Sequence, residues 1–597
     1  MCGIVGYIGY RNAWSVIVDA LHQVEYRGYD SCGAAIQSGQ EIHILKELGQ
    51  VDKLDARNPS ATGNLGIGHT RWATVGHPTL ENTHPLLDCS GRIAIVHNGH
   101  IENHDSLRKK LVSQGHEFQS ETDSEVFAHL LEDIDTQDKM TAVAQSLNQI
   151  EGSYALAILF HDSDEIIVAR KDNPLVIGIG DQENFIASDV PAILGNARHV
   201  IHLEDMDIAT IKADGIKIRN NGVPVHRQSR GIDWSRDELD KSGYPHYMLK
   251  EIFEQPQVIR DAIAGRLLPD SQGVNLGIQL PPIDSIDSIT LLGCGSAHYA
   301  CIVGERFLNT LTPIKISSQV ASDIAGLKFH NGNHWGLLVS QSGETADTIE
   351  AGRVVKEAGL FTVAFTNNGD SSITRLADRT VYLKAGPEIS VAATKTFISQ
   401  LVALYLFGIQ LFPMPSAQTG SILKELDSLP GKVQQILDMA PQLEQIGQTL
   451  AQAQHAFIIG RGINYPVALE GALKLKEVAY LHAEGYASGE LKHGPFALLT
   501  EETPVVAIMP QDDTYPRMLN AVQEIQARGA PIIVLTNGVD PELLELTANI
   551  IQVPPTFDLF SPIINTVALQ LIAYYCAKER DCPIDRPRNL SKSVTVH

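Results

Sequence analysis

The sequence predicts a sheet-rich α+β domain followed by two α/β domains with parallel sheets, and three observations carry that expectation. Up to residue 215 the chain is a series of short β-type runs broken by glycine. Beyond residue 248 the strands become almost wholly apolar and pass through a glycine turn into a helix, the signature of a parallel sheet covered on both faces. That unit then repeats. Gly293-Cys294-Gly295, at the end of one apolar run, is echoed by Gly460-Arg461-Gly462, and Asn367 by Asn537 at nearly the same spacing, so the second half reads as an internal duplication.

Taken in order, the first domain (2–215) holds β runs at 3–8, 33–37, 42–45, 66–69, 93–97, 154–160 and 166–170, with helical periodicity over 13–23 and 123–131. Residues 216–247 carry mixed charge and weak periodicity and read as a linker. A helical stretch over 248–264 opens the first α/β domain (248–425), with strands at 289–293, 335–340 and 361–367. A helical segment over 401–450 leads into the second (450–587), with strands at 456–460, 505–510 and 531–537, and residues 588–597 form a tail.

Composition excludes several partners. The net charge of −24 would repel a nucleic-acid backbone or an anionic membrane surface, so neither is expected and any phosphate must be held locally. Seven cysteines (Cys2, Cys32, Cys89, Cys294, Cys301, Cys576 and Cys582) are odd in number, scattered and without a Cys-x-x-Cys pair. Neither a disulfide framework nor a zinc site is indicated, and no metal or cofactor is expected. The most apolar stretches, such as 397–412, are interrupted by Ser399, Gln400 and Gln410 and read as buried helices rather than membrane spans. With no basic-then-apolar opening, a reducing cytoplasm is the expected location.

Cys2 follows the initiator Met1 and precedes Gly3. Removal of a methionine before a small residue would leave Cys2 with a free α-amine, whose ordinary pKa of roughly 7.7–8.0 suits it to activate its own side chain without a histidine. On position alone, a cysteine that merely comes second is the alternative.

Four motifs sharpen this reading: Tyr26-Arg27-Gly28-Tyr29-Asp30-Ser31, Gly68-His69-Thr70-Arg71-Trp72-Ala73-Thr74, His97-Asn98-Gly99 and Ser120-Glu121-Thr122-Asp123-Ser124-Glu125. In order and spacing they resemble the glutaminase domain of the N-terminal-nucleophile amidotransferases, a layered α/β-sheet sandwich. The resemblance implies that Cys2 attacks the carboxamide of glutamine, with Asn98 and the backbone N–H of Gly99 as the oxyanion hole. It further implies that Arg71 pairs with the α-carboxylate, Asp123 anchors the α-ammonium, Trp72 gates an ammonia passage, and Thr74 and His77 complete the glutamine site. Standing alone, Arg71 and Asp123 would read as a surface ion pair and Trp72 as core. His69, His77, His84 and His97 lack ligand spacing and read as packing or hydrogen-bonding groups.

In the second half, Ser340-Gln341-Ser342-Gly343-Glu344-Thr345 follows an apolar strand and opens a helix. Hydroxyls and N–H groups at a helix N-terminus make a phosphate cradle, with a plain capping cluster as the alternative. No Walker lysine accompanies it, so a nucleotide is not what it advertises. The matching segment of the second repeat carries Asp512 and Asp513, which would repel phosphate.

This arrangement resembles the sugar isomerase (SIS) fold. The chain as a whole resembles the glutamine:fructose-6-phosphate aminotransferase family through Glu470-Gly471-Ala472-Leu473-Lys474-Leu475-Lys476-Glu477, Gly489-Glu490-Leu491-Lys492-His493-Gly494-Pro495 and the tail from Pro587 to Val596. The resemblance implies conversion of fructose 6-phosphate to glucosamine 6-phosphate with glutamine as nitrogen donor. It assigns Glu477 to proton transfer between C1 and C2, His493 of a neighbouring subunit to ring opening, and Lys592 to a Schiff base with the ketone. It also assigns Ser296, Ser340, Gln341, Ser342, Thr345, Val391 and Lys474 to the sugar phosphate, and it implies a homodimer. Ala297 stands where the family has a hydroxyl residue, Phe253 where histidine is common and His597 where glutamate is usual, while His77 falls two positions late. Another ketose phosphate, or a non-catalytic sugar-phosphate sensor, are therefore the competing readings; the joint presence of Glu477, His493 and Lys592 speaks against the sensor.

Overall fold

Alternation of small and apolar residues over the first 230 positions builds two antiparallel sheets of eight and seven strands. The computed structural model describes residues 2–57, 62–134, 136, 138–231, 240–269, 273–283, 286–324, 333–369 and 371–595. It divides into two compact units, Met1–Asp240 with Ser591–His597, and Lys241–Leu590.

In the first unit the strand Gly3–Ile8 lies inside the eight-stranded sheet between Asn184–Ala187 and Leu65–Arg71. In the seven-stranded sheet Ile93–Ile101 pairs with Gly152–Phe160 and Leu86–Leu87. The inner faces meet through Ile4, Ile8 and Ile67 from one sheet and Val96, Ala157 and Val168 from the other. Helix Ala13–Val24 covers the outside of the first sheet through Trp14, Ile17 and Leu21. Helices His104–Gln114, Glu125–Glu132 and Lys139–Leu147 cover the second through Leu111, Phe127, Leu130 and Val143. The result is the layered sandwich that the sequence predicts.

The structure adds helices that the sequence reading lacks, Val51–Asp55, His104–Gln114 and Lys139–Leu147 among them, and shifts one boundary. Helix His104–Gln114 escapes detection because it buries only Leu107 and Leu111, leaving its 3.6-residue period almost no apolar signal. The expected linker, 216–247, begins too early. Residues Gly215–Asn220 and Val223–Val225 form an antiparallel hairpin, and Ser229–Gly231 pairs with His199–His202. The hairpin turns on Asn221-Gly222, both at positive φ, as a two-residue turn between right-twisted strands requires. The charged part of that linker, 232–239, lies outside the described residues.

The second unit contains two five-stranded parallel sheets of identical topology. The first runs Lys315–Val320, Ser288–Gly293, His334–Val339, Phe361–Thr366, Arg379–Tyr382, and the second runs His482–Ala487, His455–Gly460, Val505–Ile508, Ile532–Thr536, Ile550–Gln552. Each has its first strand between its second and third. In such sheets ligands bind beyond the carboxyl ends of the first and third strands, where the strand order reverses. In the first repeat that crevice receives Ser296 and the 340–345 loop. Helices Lys395–Leu411, Ser416–Asp438, Ala440–Ala451, Tyr465–Ala479 and Ser561–Glu579 share one core cluster. Over Asp558–Glu579 the chain is long and apolar enough to cross a bilayer, yet 94% of that window is buried, which makes it a core helix surrounded by protein.

Candidate active sites

Cys2 immediately precedes the strand Gly3–Ile8, and the pairing of Gly3 with Thr70 brings it beside Trp72. Trp72 N–H donates to Cys2 Sγ at 3.2 Å, and Sγ lies 3.4 Å from Trp72 O. The carbonyl of Cys2 accepts from Asn98 Nδ2 at 2.9 Å and Arg27 Nε at 3.2 Å. Arg27 is held in turn by Asp189 at 2.9 Å, which also accepts from Tyr26 Oη at 2.5 Å. Gly28 has no room for a side chain, since a Cβ would lie 2.7 Å from backbone atoms of Arg71 and Trp72. Burial pushes the Cys2 thiol up; the positive N-terminus, the Trp72 hydrogen bond, Arg71 and Arg27 oppose it.

Asn98 is aimed by its neighbours. His69 Nε2 lies 3.1 Å from Asn98 Oδ1 and 3.1 Å from His97 O, two acceptors, so this nitrogen carries the proton. Burial holds the His69 pKa down to about 3, leaving a neutral ring that fixes the amide with its NH₂ toward Cys2. His84 stacks on His69 at 4.3 Å between ring centroids and accepts from His97 N–H at 3.4 Å. These three histidines form a buried layer behind Asn98; His77 is not among them. Gly99, at φ +136°, would place a Cβ 2.1 Å from Ser153 O, so only glycine fits there.

Asp123 is buried and accepts from Ile101 N–H at 2.8 Å, with His100 Nδ1 at 3.6 Å. Burial would raise its pKa, but the hydrogen bonds from His100 and Ile101 and the nearby His97 hold it below the usual carboxylate value. The Arg71 guanidinium, also buried, donates to the carbonyls of Val75 (2.6 Å), Gly76 (3.1 Å) and His77 (3.2 Å), shaping the loop on which Thr74 and His77 are exposed. Cys2 and Asp123 both act electrostatically on Arg71, which puts the three in one neighbourhood.

In the second unit the crevice of the first repeat is lined by hydroxyls. Ser340 Oγ meets Thr345 Oγ1 at 2.9 Å and accepts from Gly343 N–H at 3.0 Å, and Glu344 N–H donates to Ser342 Oγ at 3.1 Å. Gly343 needs its positive φ of 67°, and a Cβ there would strike Ser371 Oγ at 2.0 Å. Thr345 caps the helix Ala346–Glu357. Gln341 is half-buried, its carbonyl accepting from Asn367 N–H at 3.0 Å.

Across the crevice, Lys474 Nζ donates to Ser296 Oγ at 3.2 Å and pairs with Glu470 at 3.3 Å and Glu477 at 2.5 Å. Ser296 Oγ also donates to Glu470 at 3.1 Å. Lys474 and Glu470 are fully buried, whereas Glu477 keeps 21% of its side chain exposed. Burial and the second carboxylate push Glu470 up to about 7, with Lys474 opposing. Tyr299, one turn along from Ser296, feels Glu470, Glu477 and Lys474.

Not every expected residue joins these clusters. His493 is exposed at the end of the short helical turn Ser488–His493 and is not among the groups acting on the triad. Val391 is buried, its N–H donating to Asp585 O at 3.1 Å. Lys592 lies on Ser591–His597, which belongs to the first unit; Val596 and His597 lie outside the described residues. Sequence reasoning gave no role to Arg27, Glu470 or Tyr299, and read His69 as a packing or hydrogen-bonding group without its partner Asn98. Of these, Glu470 left a signal, since positions 470, 474 and 477 share one helix face.

Comparison with known proteins bears on both sites. The family model of a glutamine amidotransferase domain matches residues 69–195, and that of a SIS domain matches 283–410 and 449–579. The glutamine--fructose-6-phosphate aminotransferases (isomerizing) of Caldanaerobacter subterraneus and Thermus thermophilus are 43% and 42% identical to this chain, each over 100% of both chains. The solved C-terminal domain of glucosamine-fructose-6-phosphate aminotransferase from Francisella tularensis is 33% identical with a TM-score of 0.54, over 58% of this chain and 100% of that one. A putative tagatose-6-phosphate ketose/aldose isomerase from Clostridium novyi shares the fold at 18% identity and a TM-score of 0.51, over 60% of this chain and 96% of its own. Identity at this level from end to end, with the domain matches in the same order, leads to one conclusion: the chain belongs to the family of glutamine--fructose-6-phosphate aminotransferases (isomerizing).

Proposed function

We propose that the protein converts D-fructose 6-phosphate and glutamine to D-glucosamine 6-phosphate and glutamate, with the nitrogen released at Cys2. The observation that carries this reading is the Cys2 thiol seated against Trp72 with Asn98, oriented by a neutral His69, donating to the Cys2 carbonyl, in a chain that also holds a hydroxyl loop at 340–345 and a Lys–Glu triad bound to Ser296. Once Met1 is removed, the α-amine of Cys2 takes the thiol proton as sulfur attacks the carboxamide carbon. Asn98 and Gly99 receive the oxyanion, ammonia departs, and water hydrolyses the thioester to glutamate. Arg71 and Asp123 bind the two charges of the amino acid, with Thr74 and His77 on the adjoining loop and Trp72 as the gate. This chemistry is assigned to residues 2–215.

At the sugar, Ser340, Gln341, Ser342 and Thr345 hold the phosphate, and Ser296, Val391 and Lys474 position the chain of the sugar. Lys592 forms the Schiff base at C2, Glu477 carries the proton between C1 and C2, and His493 acts from the partner of a homodimer. The partly exposed end of Glu477, gripped by Lys474, supports that role. Free thiols at all seven cysteines suit a reducing cytoplasm.

The test is incubation with glutamine and a panel of ketose phosphates, measuring glutamate and amino-sugar phosphate together. Equimolar products with fructose 6-phosphate are expected; turnover confined to another ketose phosphate would reassign the acceptor.

His100 adds a pH dependence. Its hydrogen bond to Asp123 raises its pKa above the ordinary 6.5, so the imidazolium persists toward neutral pH and competes with glutamine's ammonium for that carboxylate. As pH rises through the raised value the ring loses its proton and Asp123 is freed. The KM for glutamine is expected to fall over that window in the wild type and to lose that slope in His100→Asn; an unchanged profile in the variant would remove His100 from the glutamine site.

A further inference from the structure

Four side chains outside both sites converge at one point of the first unit. Cys89 lies in the turn between Leu86–Leu87 and Ile93–Ile101, His116 follows helix His104–Gln114, and His129 and Glu132 sit one turn apart on helix Glu125–Glu132. Cys89 Sγ is 3.5 Å from His116 Nδ1 and 3.4 Å from His129 Nδ1. Glu132 Oε2 is 3.1 Å from His116 Nδ1 and 3.4 Å from His129 Nδ1. All of these atoms lie within 4.8 Å of one another. A tetrahedral ion with bonds of roughly 2.0–2.3 Å leaves its ligands about 3.3–3.6 Å apart, and the four separations between the imidazole nitrogens and the sulfur or carboxylate oxygen, 3.1–3.5 Å, lie close to that spacing.

Hydrogen bonding alone does not account for the cluster, because each Nδ1 faces both a sulfur and a carboxylate oxygen and carries at most one proton. The opposite ring nitrogens supply the missing piece. His116 Nε2 lies 2.9 Å from Asp133 Oδ1, and His129 Nε2 lies 3.6 Å from Glu125 Oε1, a buried carboxylate. The Asp133 carboxylate puts the proton on His116 Nε2 and turns that ring's Nδ1 lone pair to the centre, and Glu125 stands behind His129 in the same outer position at ion-pair distance, as behind histidine metal ligands. Glu117 N–H points at Cys89 Sγ at 3.5 Å, as suits a thiolate.

We propose that Cys89, His116, His129 and Glu132 bind a structural Zn²⁺. Thiolate, two imidazoles and one carboxylate form a set for zinc rather than for magnesium or calcium, and four protein ligands close the coordination sphere. The ion would tie the turn leading into Ile93–Ile101, which carries Asn98 and Gly99, to the helix that follows Asp123. It thus braces the oxyanion hole and the ammonium anchor without touching either. The linear spacing of the four residues conceals the site because they come from three separate elements.

The test uses tag-free full-length protein incubated with zinc, passed over a chelating resin and analysed for metal. About one zinc per chain is expected, as a closed four-ligand site retains. Cys89→Ser, at an exposed position, is expected to lose it. Asp133→Asn, which removes no ligand and lies at the surface, is expected to weaken zinc about 10- to 100-fold. Cobalt(II) is expected to give a thiolate-to-metal charge-transfer band in the wild type that is absent from Cys89→Ser, with circular dichroism confirming that both are folded. A wild type that retains no stoichiometric zinc, or equal metal binding and spectra in the two proteins, would overturn the proposal.

Discussion

Cys2→Ala is expected to lower glutamine-dependent formation of glucosamine 6-phosphate by at least roughly 10⁴-fold, the scale on which removal of an activated nucleophile acts. Ammonium salts are expected to restore synthesis in the same variant, increasingly so as pH rises and more of the ammonium is free ammonia. The two halves of the result separate the two chemistries. Sγ touches only Trp72 among the hydrogen bonds of the site, so its loss leaves Arg27 and Asn98 donating to the carbonyl of residue 2, Asp189 holding Arg27, and the strand in place. The hydroxyl loop and the Lys–Glu triad of the sugar half belong to the other unit and keep their own contacts. A chain extended by one residue ahead of Cys2 is expected to behave like Cys2→Ala, because a peptide nitrogen cannot take the thiol proton. Glutamate release by Cys2→Ala at the wild-type rate would place the nucleophile elsewhere.

The sequence reveals this site in part, and the divide has a physical basis. Local patterns report local structure: the β runs around Gly3, Gly66 and Ile93, the paired glycine turns at Gly293 and Gly460, and the hydroxyl loop at Ser340 all depend on neighbours within a few residues. The Asn221-Gly222 turn dipeptide also marks its hairpin locally, within a stretch of mixed charge that otherwise has the composition of a linker. What escapes is whatever depends on burial or on contacts between distant segments. Arg27 matters because Asp189 lies 2.9 Å away, 162 residues along the chain. His69 orients Asn98 only because burial keeps it neutral, and no spacing announces that. The Cys89, His116, His129 and Glu132 cluster is hidden for the same reason. The 470–477 helix marks the boundary: its periodicity places Glu470, Lys474 and Glu477 on one face but does not say that Lys474 and Glu470 are fully buried.

Desolvation makes Lys474→Met the variant with the largest expected effect on stability. Lys474 Nζ is fully buried between Glu470 at 3.3 Å and Glu477 at 2.5 Å. Removing the cation leaves the fully buried Glu470 carboxylate facing that of the partly exposed Glu477 with no positive charge between them, and breaking a buried pair costs up to about 3–5 kcal/mol. The cost has a sign in pH. Glu470 is already pushed up to about 7 with the lysine present, and loss of the lysine removes the charge that opposes that rise. A carboxyl whose folded pKa lies above its ordinary value of 4.5 costs folding nothing below that value and progressively more as pH climbs through the folded one. The stability deficit of Lys474→Met, followed by thermal unfolding, is therefore expected to be largest above pH 8 and to shrink as pH falls toward 5. Adding Glu470→Gln is expected to recover much of it. Synthesis is expected to stay at least about 100-fold down in both variants, because Glu477 loses the contact that fixes its position. A deficit that does not vary with pH would show that Lys474 contributes packing rather than charge, and would detach Glu477 from the role its grip by Lys474 supports.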